Sequence, residues 1–554
     1  MKKILLIGMA VLLLLQICVL FYYGGRKNGF HEDELYTYYS SNKTAGLFVE
    51  DRQWLSGEEL YNELVVLPGE QFRYGVVKQM QSWDVHPPLY YYIFHTACSL
   101  FPGVFSKWLG IGVNIIAYVV CFVLLWYASY TAITVGDKEG NRQQTAMALS
   151  LVTCFAWGFC PAVISGVMFI RMYQWLTLFI LLCLCIHLRA MKKQEFGIGS
   201  FLLPVAVTVF LGFSTQYYYI IFHFFLGVGF CVLLLRRRKI KELFTYALFC
   251  AIGLGAAILY YPAGMAHIFR GYRGTEAVSE FGDVSNTWDR LSFFIGLFDD
   301  YVMNGMLAAF LLVICLLWVT VWYQKKRQAL RETLSERTLD ARVTEAANDF
   351  GIGQAVGLML FACAGYFFTV SKTALMLGET SNRYQLPIYG ILLFLLICFI
   401  AAPICSMLKA AGKGQQILCL MLMVVFLCSN GLALKKDKVF FLYEEDAVMM
   451  ELVRENKDVP VVVCYHENSP DNIWRLSQEL IEYSQVYLAS FGNVSPIEDK
   501  VITESNRVLV FAADYDNQGE QLTQLLSGNS HLADGRVAAK KGLWTLYEFW
   551  GKEP

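Results

Sequence analysis

Charge is what this chain has least of. Only 16% of its 554 residues are Asp, Glu, Lys or Arg, against 56% hydrophobic, and that balance excludes a soluble protein, even one of several domains. The formal net charge is −1, so no global field draws in nucleic acid or an acidic partner surface. Internal repeats and low-complexity tracts are missing too, and with them the paired halves expected of many transporters. No small-x-small cleavage site follows the first apolar run, "ILLIGMAVLLLLQICVLFY" at 4–22, so it is expected to be a retained first span and not a removed signal peptide. Cysteine is not scarce, at sixteen, but nearly all lie inside apolar segments, where the residue acts as a small hydrophobe. Cys464 is the one cysteine of the polar C-terminal part, which excludes a disulfide within that part.

What is present is apolar runs of membrane length, at 4–22, 108–134, 144–165, 168–189, 198–214, 217–235, 243–261, 303–323, 353–370, 385–405 and 416–434. They predict a polytopic α-helical membrane protein of about eleven transmembrane helices. Basic clusters, "RAMKK" (189–193), "RRRKIK" (236–241), "QKKRQALR" (324–331) and "KAAGKG" (409–414), belong in the cytoplasm. That places the N-terminus inside and puts the loops 23–107, 262–302 and 371–384, with everything after about 435, outside. "PLYYYIFHTACSLF", 88–101, is too short to span. It is expected to be an outer helix dipping into the interface, with Tyr90, Tyr91 and Tyr92 at the headgroup level.

The composition changes near 436. "VPVVVCYHE" (459–467), "RVLVFAAD" (507–514) and "LWTLYEFW" (543–550) read as strands, "NIWRLSQELIEYS" (472–484) and "NQGEQLTQLLSG" (517–528) as helices. The expected division is a transmembrane domain over 1–435, with an outer loop 23–107, and a small outer α/β domain over 436–554. The charged segment 325–350 is expected to be helical and solvated.

Three stretches carry candidate chemistry. In "GFHEDELYTYYSSN", 29–42, Glu32, Asp33 and Glu34 follow the first span by about ten residues. There the low dielectric raises carboxylate pKa and strengthens electrostatic contacts; the alternative is a solvated helix cap. "WDVHPPLYYYIFH", 83–95, uses two prolines to present His86 at a fixed place. Arg171 in "FIRMYQW", Lys372 in "TVSKTALM" and Arg383 in "SNRYQLPIYG" are cations in or beside spans, costly there unless they snorkel or meet a partner. The topology puts them on the face of Asp33 and His86. An acidic base beside several cations suits a lipid-phosphate substrate.

The order of "DE" after the first span, then "HPPLYYYIFH", "RMYQW" and "NRYQLP" resembles the GT-C class of integral membrane glycosyltransferases. Within it the likeness is to the glycosyltransferase family 39-like branch, which includes protein O-mannosyltransferases and lipid A aminoarabinose transferases. It covers residues 1 to about 435. The resemblance implies transfer of a sugar from a polyprenyl-phosphate donor, on the outer side of the membrane, to a hydroxyl of a lipid, glycan or protein acceptor. It implies Asp33 as general base, Glu34 orienting it and His86 facing the donor phosphate. Arg171, Tyr173, Lys372, Arg383, Tyr384 and Tyr36 complete the expected substrate-binding set.

One departure bears on cofactors. Many such enzymes carry a second acidic residue in the next outer loop, but residues 157–175 hold none, and Arg171 and Tyr173 stand there instead. That favours cations alone on the phosphate over a metal bridged by two carboxylates, so no metal and no cofactor are expected. The rival reading is a transporter or flippase of lipid-linked sugars; a third is a catalytically silent scaffold. Sequons stand at 42–44 and 493–495.

Overall fold

The computed structural model of the chain describes residues 2–44, 52–333, 350–408, 413–466, 470–490, 499–513 and 532–551. Ten helices among these residues are long and apolar enough to cross a membrane, or eleven if one bent pair is a single span. They coincide with the eleven apolar runs. The bent pair, Gln143–Gly158 and Pro161–Met168, turns by 60°. Cys160 is extended there, and Pro161, which has no N–H to give, opens the second piece.

Beyond Met168 the chain stays irregular until the helix Tyr173–Lys193 begins. Backbone of this kind inside a bundle needs partners, and side chains supply them. Asn114 donates to the carbonyls of Val167 and Phe169 at 3.1 and 2.7 Å, Thr37 donates to that of Ile170 at 3.1 Å, and the Ile170 N–H donates to Glu34 at 2.8 Å.

The loops expected to share one face meet at one end of the bundle. Lys27 donates to the Phe441 carbonyl at 2.7 Å, His267 meets the Ser82 carbonyl at 3.2 Å, and Arg383 pairs with Asp33 at 2.9 Å. Basic clusters collect at the opposite end, where Arg237 donates to Gln354 at 2.8 Å and lies 3.9 Å over the Phe350 ring.

The short helix Leu89–Leu100 corrects an expectation. It is not an interfacial helix with its tyrosines at the headgroups: Tyr90 and Tyr91 are fully buried, and only Tyr92 is partly open. The helix is wedged between Glu32–Asn42 and Lys107–Thr134, and Tyr91 is needed inside, as shown below.

A six-stranded sheet crowns the same end, built from β1 (Gln53–Leu55), β2 (Val461–Tyr465), β3 (Val486–Ser490), β4 (Arg507–Ala513), β5 (Leu532–Lys541) and β6 (Trp544–Gly551) in the order β1-β3-β2-β4-β6-β5. β2 runs parallel to β3 and β4; the other pairings are antiparallel. All five residues of β2 are buried, which fits a central parallel strand covered on both faces. β1 comes from the loop 23–107, so the sheet reaches across the expected boundary at 436. The stretch 472–484 is not one helix: a 3-10 turn, Pro470–Leu476, leads into a single helical turn, Ser477–Leu480. The expected helix at 517–528, the sequon at 493–495 and most of the charged loop lie outside the described residues. Asn42 of the other sequon is buried and donates to the Leu64 carbonyl at 2.7 Å.

Candidate active site

The helix Glu32–Asn42 begins with an unusual cap. His31 accepts the Asp33 N–H through Nδ1 at 3.1 Å, while Glu34 accepts the His31 N–H at 2.6 Å, closing a capping box. Three acidic residues in the first turn also answer the positive end of the helix dipole. Successive helical residues point about 100° apart, so Glu32, Asp33 and Glu34 face three different surroundings.

Glu32 faces the segment Pro470–Leu476 and pairs with its Arg475. Glu34 faces the bundle: besides the His31 and Ile170 N–H groups it takes Lys27 at 2.9 Å, and both side chains of that pair are fully buried. Burial pushes the Glu34 carboxyl up, while Lys27 and the two backbone donors pull it down. Asp33 faces the mouth of the bundle, where its carboxylate accepts from Arg383 at 2.9 Å. Burial also pushes the Asp33 carboxyl up, but the guanidiniums of Arg171 and Arg383 outweigh it and hold the group well below the usual carboxylate range.

Arg171 is the hub. It donates to the Asp33 carbonyl at 3.2 Å, to Thr37 at 3.3 Å, to the Tyr91 hydroxyl at 2.9 Å and to the His86 ring at 3.2 Å. The other nitrogen of His86 lies 2.9 Å from Asp84. Donation from Nδ1 to Asp84 then leaves Nε2 to accept from Arg171, a tautomer assigned from the network. Burial pushes the Asp84 carboxyl up, but His86, with Arg171 behind it, outweighs that and brings the group down to about 2. Arg383 also donates to the Tyr384 hydroxyl at 3.2 Å and lies 5.2 Å over the ring of Phe169, which stacks on Phe441 at 4.1 Å. Tyr173 meets Tyr384 edge-on at 5.7 Å.

Both arginines keep capacity in reserve. The Nε of Arg171 and of Arg383 is buried with no hydrogen-bond partner among the described residues. A buried donor left unmade costs free energy, and both of these guanidiniums flank Asp33.

The structure thus brings together Asp33, His86, Arg171, Tyr173, Arg383 and Tyr384, with Glu34 bracing the helix from behind. Two expected residues go elsewhere. Lys372 is turned away, donating to the Asp283 carbonyl, to Asn286 and to Thr287, where it fastens the turn between the helices Tyr272–Gly282 and Thr287–Phe298. Tyr36 packs edge-on against Trp474 of the segment Pro470–Leu476 at 4.5 Å.

Sequence reasoning missed Tyr91, Lys27 and Phe441 as parts of the site, and offered Asp84 only as a substitute base, not as the partner of His86. The spacing in "DVH" at 84–86 could have suggested that Asp84 orients His86. Nothing local pointed to Phe441, whose neighbours come from three other segments. No group of three or more His, Cys, Asp or Glu side chains converges as a metal site would among the described residues.

This arrangement of spans, broken helix, short buried helix and capping sheet is the GT-C fold, the class implied by the sequence resemblance. In particular, the chain is similar to ArnT from Cupriavidus metallidurans bound to undecaprenyl phosphate, with a TM-score of 0.52 and 10% identity over 97% of each chain. The apo state of the same protein superposes at 0.50, again with 10% identity over 97% of each. At that identity the likeness is one of fold. Arabinosyltransferase EmbB from Mycobacterium smegmatis aligns over 81% of this chain and 40% of its own, with 10% identity and a TM-score of 0.32, too low to bear on the argument. No family model matches the sequence, and no curated protein matches it.

Proposed function

We propose that this protein is a membrane glycosyltransferase that moves a sugar from a polyprenyl-phosphate donor to an acceptor hydroxyl on the outer face of the membrane, with Asp33 as general base. The observation that carries this reading is the pairing of Asp33 with Arg383 beside Arg171, two buried guanidiniums each with an unpartnered Nε, within a GT-C fold. The ArnT neighbour was crystallised with undecaprenyl phosphate, which supports a donor of this class.

The chemistry follows from the charges. Asp33 takes the proton of the acceptor hydroxyl, the freed oxygen forms a bond to the anomeric carbon, and the bond from that carbon to the lipid phosphate breaks. The phosphate leaves with the electron pair, and Arg171 and Arg383 stabilise its charge. Direct displacement inverts the anomeric carbon. The same arginines depress the Asp33 carboxyl before donor binds, so a phosphate that draws them toward itself returns basicity to Asp33 when the donor is in place. His86, held by Asp84, fixes the Arg171 guanidinium on its other side.

The test is transfer of labelled sugar from polyprenyl-phosphate donors to membrane acceptors by the native protein and by Asp33→Asn, which keeps the shape and removes the base. Turnover is expected to fall about 10²- to 10⁴-fold with donor binding retained. Equal turnover removes Asp33 as the base. Absence of transfer by either protein, with lipid-linked sugar still crossing the bilayer, replaces the enzyme by a flippase.

A further inference from the structure

A slot of about 440 Å³ opens at the Asp33 end of the bundle, away from the arginine site, between the last span, Lys413–Lys435, and the turn 304–306 before the helix Leu307–Thr333. Its wall on the last span is one continuous stripe: Val424, Cys428, Leu432 and Lys436 recur at four-residue spacing, which keeps them on a single helical face. The stripe is apolar until its last turn and then cationic, with Lys436 and Lys438 at the rim.

The dimensions fit one lipid leaflet. From Val424 to Lys435 the helix rises about 16 Å at 1.5 Å per residue, and half of a hydrocarbon core of roughly 30 Å is about 15 Å. An acyl chain laid along the stripe therefore ends its apolar length where the lysines begin. The neighbouring acid does not cancel them: Asp437 is taken by Arg26 at 3.0 Å. Lys438 is held in place by the Asp300 carbonyl at 2.7 Å. Basic clusters otherwise mark the opposite end of the bundle, so lysines at 435, 436 and 438 ask for a reason at this end.

We propose that this slot binds an anionic phospholipid, its acyl chain along Val424–Leu432 and its phosphate at Lys436 and Lys438. The site is separate from the one that holds a donor phosphate and does not rest on glycosyl transfer. The chain from Lys438 runs directly to Phe441, which stacks under the Arg383 site, so a lipid here adjoins the floor of the active site.

The test is native mass spectrometry of the full chain in detergent, titrated with dioleoyl phosphatidylglycerol or dioleoyl phosphatidylcholine. One phosphatidylglycerol is expected to be retained in preference to phosphatidylcholine. That preference should fall about fivefold in Lys436→Gln and about thirtyfold in Lys436→Gln/Lys438→Gln, and should hold in Lys435→Gln, whose side chain lies outside the slot. Leu432→Trp, which fills the slot, should lower binding of the lipid with the lysines intact. Equal retention of both lipids, or equal effects of Lys435→Gln and Lys436→Gln, overturns the proposal. Displacement by millimolar inorganic phosphate, with no effect of Leu432→Trp, would make it a plain anion site and overturns it as well.

Discussion

Two ion pairs on adjacent residues share one length and differ in everything else. Glu34–Lys27 and Asp33–Arg383 both measure 2.9 Å. The first is sealed, with both side chains at 0% exposure, whereas the second shows 25% at Asp33 and 5% at Arg383. Glu34 is fully satisfied by one ammonium and two backbone donors; Arg383 retains a buried, unpartnered Nε. Distance alone would rank them equal. Access and residual hydrogen-bonding capacity separate a sealed pair from an open one, and the proposed function rests on the open one.

The largest effect that would break this contrast is on stability. Lys27→Met leaves the Glu34 carboxylate buried without its cation and is expected to cost about 3–5 kcal/mol in unfolding experiments in micelles. Lys27→Met/Glu34→Gln should recover part of that loss, because Gln removes the charge, while its single carbonyl oxygen serves only one of the Ile170 and His31 N–H groups, which meet different oxygens of Glu34. A double variant no more stable than the single one would show that the pair does more than balance charge.

Arg383→Met is the counterpart on the open pair. Turnover is expected to fall about 10²- to 10³-fold as one donor to the leaving phosphate is lost, with little change in melting temperature. A large loss of stability with unchanged turnover in the folded fraction would turn the Asp33 pair into a second structural bridge.

Lys372 sharpens the contrast further, since it lies only eleven positions from Arg383 in the sequence. Its ammonium is committed to the turn at 283–287. Lys372→Met should therefore cost about 1–3 kcal/mol of stability and leave turnover per folded molecule unchanged, read by thermal melting beside transfer assays.

A further contrast is a titration. Burial brings the His31 imidazole down from 6.5 to about 4, although Asp33 pulls it the other way. The folded chain therefore favours the neutral ring. Its contribution to stability is complete above pH 6.5 and declines as pH falls toward 4, because the unfolded chain takes up the proton first. His31→Asn keeps a capping acceptor and should flatten this part of the stability profile. Asp33, held low by its arginines, stays ionised across the same window, so these two neighbouring groups separate by pH.

Much of the site was legible because its chemistry is written in rare residues. A carboxylate cluster after a span, a histidine ahead of two prolines and arginines at span ends are costly in an apolar chain, and Asp33, His86, Arg171 and Arg383 do converge. Lys372 was misread because a cation at a span end looks the same whether it meets a ligand or a turn. Tyr90 and Tyr91 were read as headgroup anchors because amphipathic rings at the end of an apolar run suit the interface as well as they suit a core. The strand Gln53–Leu55 was out of reach: three residues carry no periodicity, and only the exposed edge of β3 makes them a strand.

The sequence by itself determined the apolar spans and the ends at which the basic clusters and the candidate site lie, since each follows from the free energy of placing apolar and charged groups in a membrane. Tertiary structure alone decided which of three neighbouring carboxylates meets the arginines. A helix sends successive side chains about 100° apart, and what lies in each direction is set by residues more than a hundred positions away: Arg475 for Glu32, Arg383 for Asp33, and for Glu34 the peptide of Ile170, beside the nearby Lys27 that the Phe441 carbonyl holds in place.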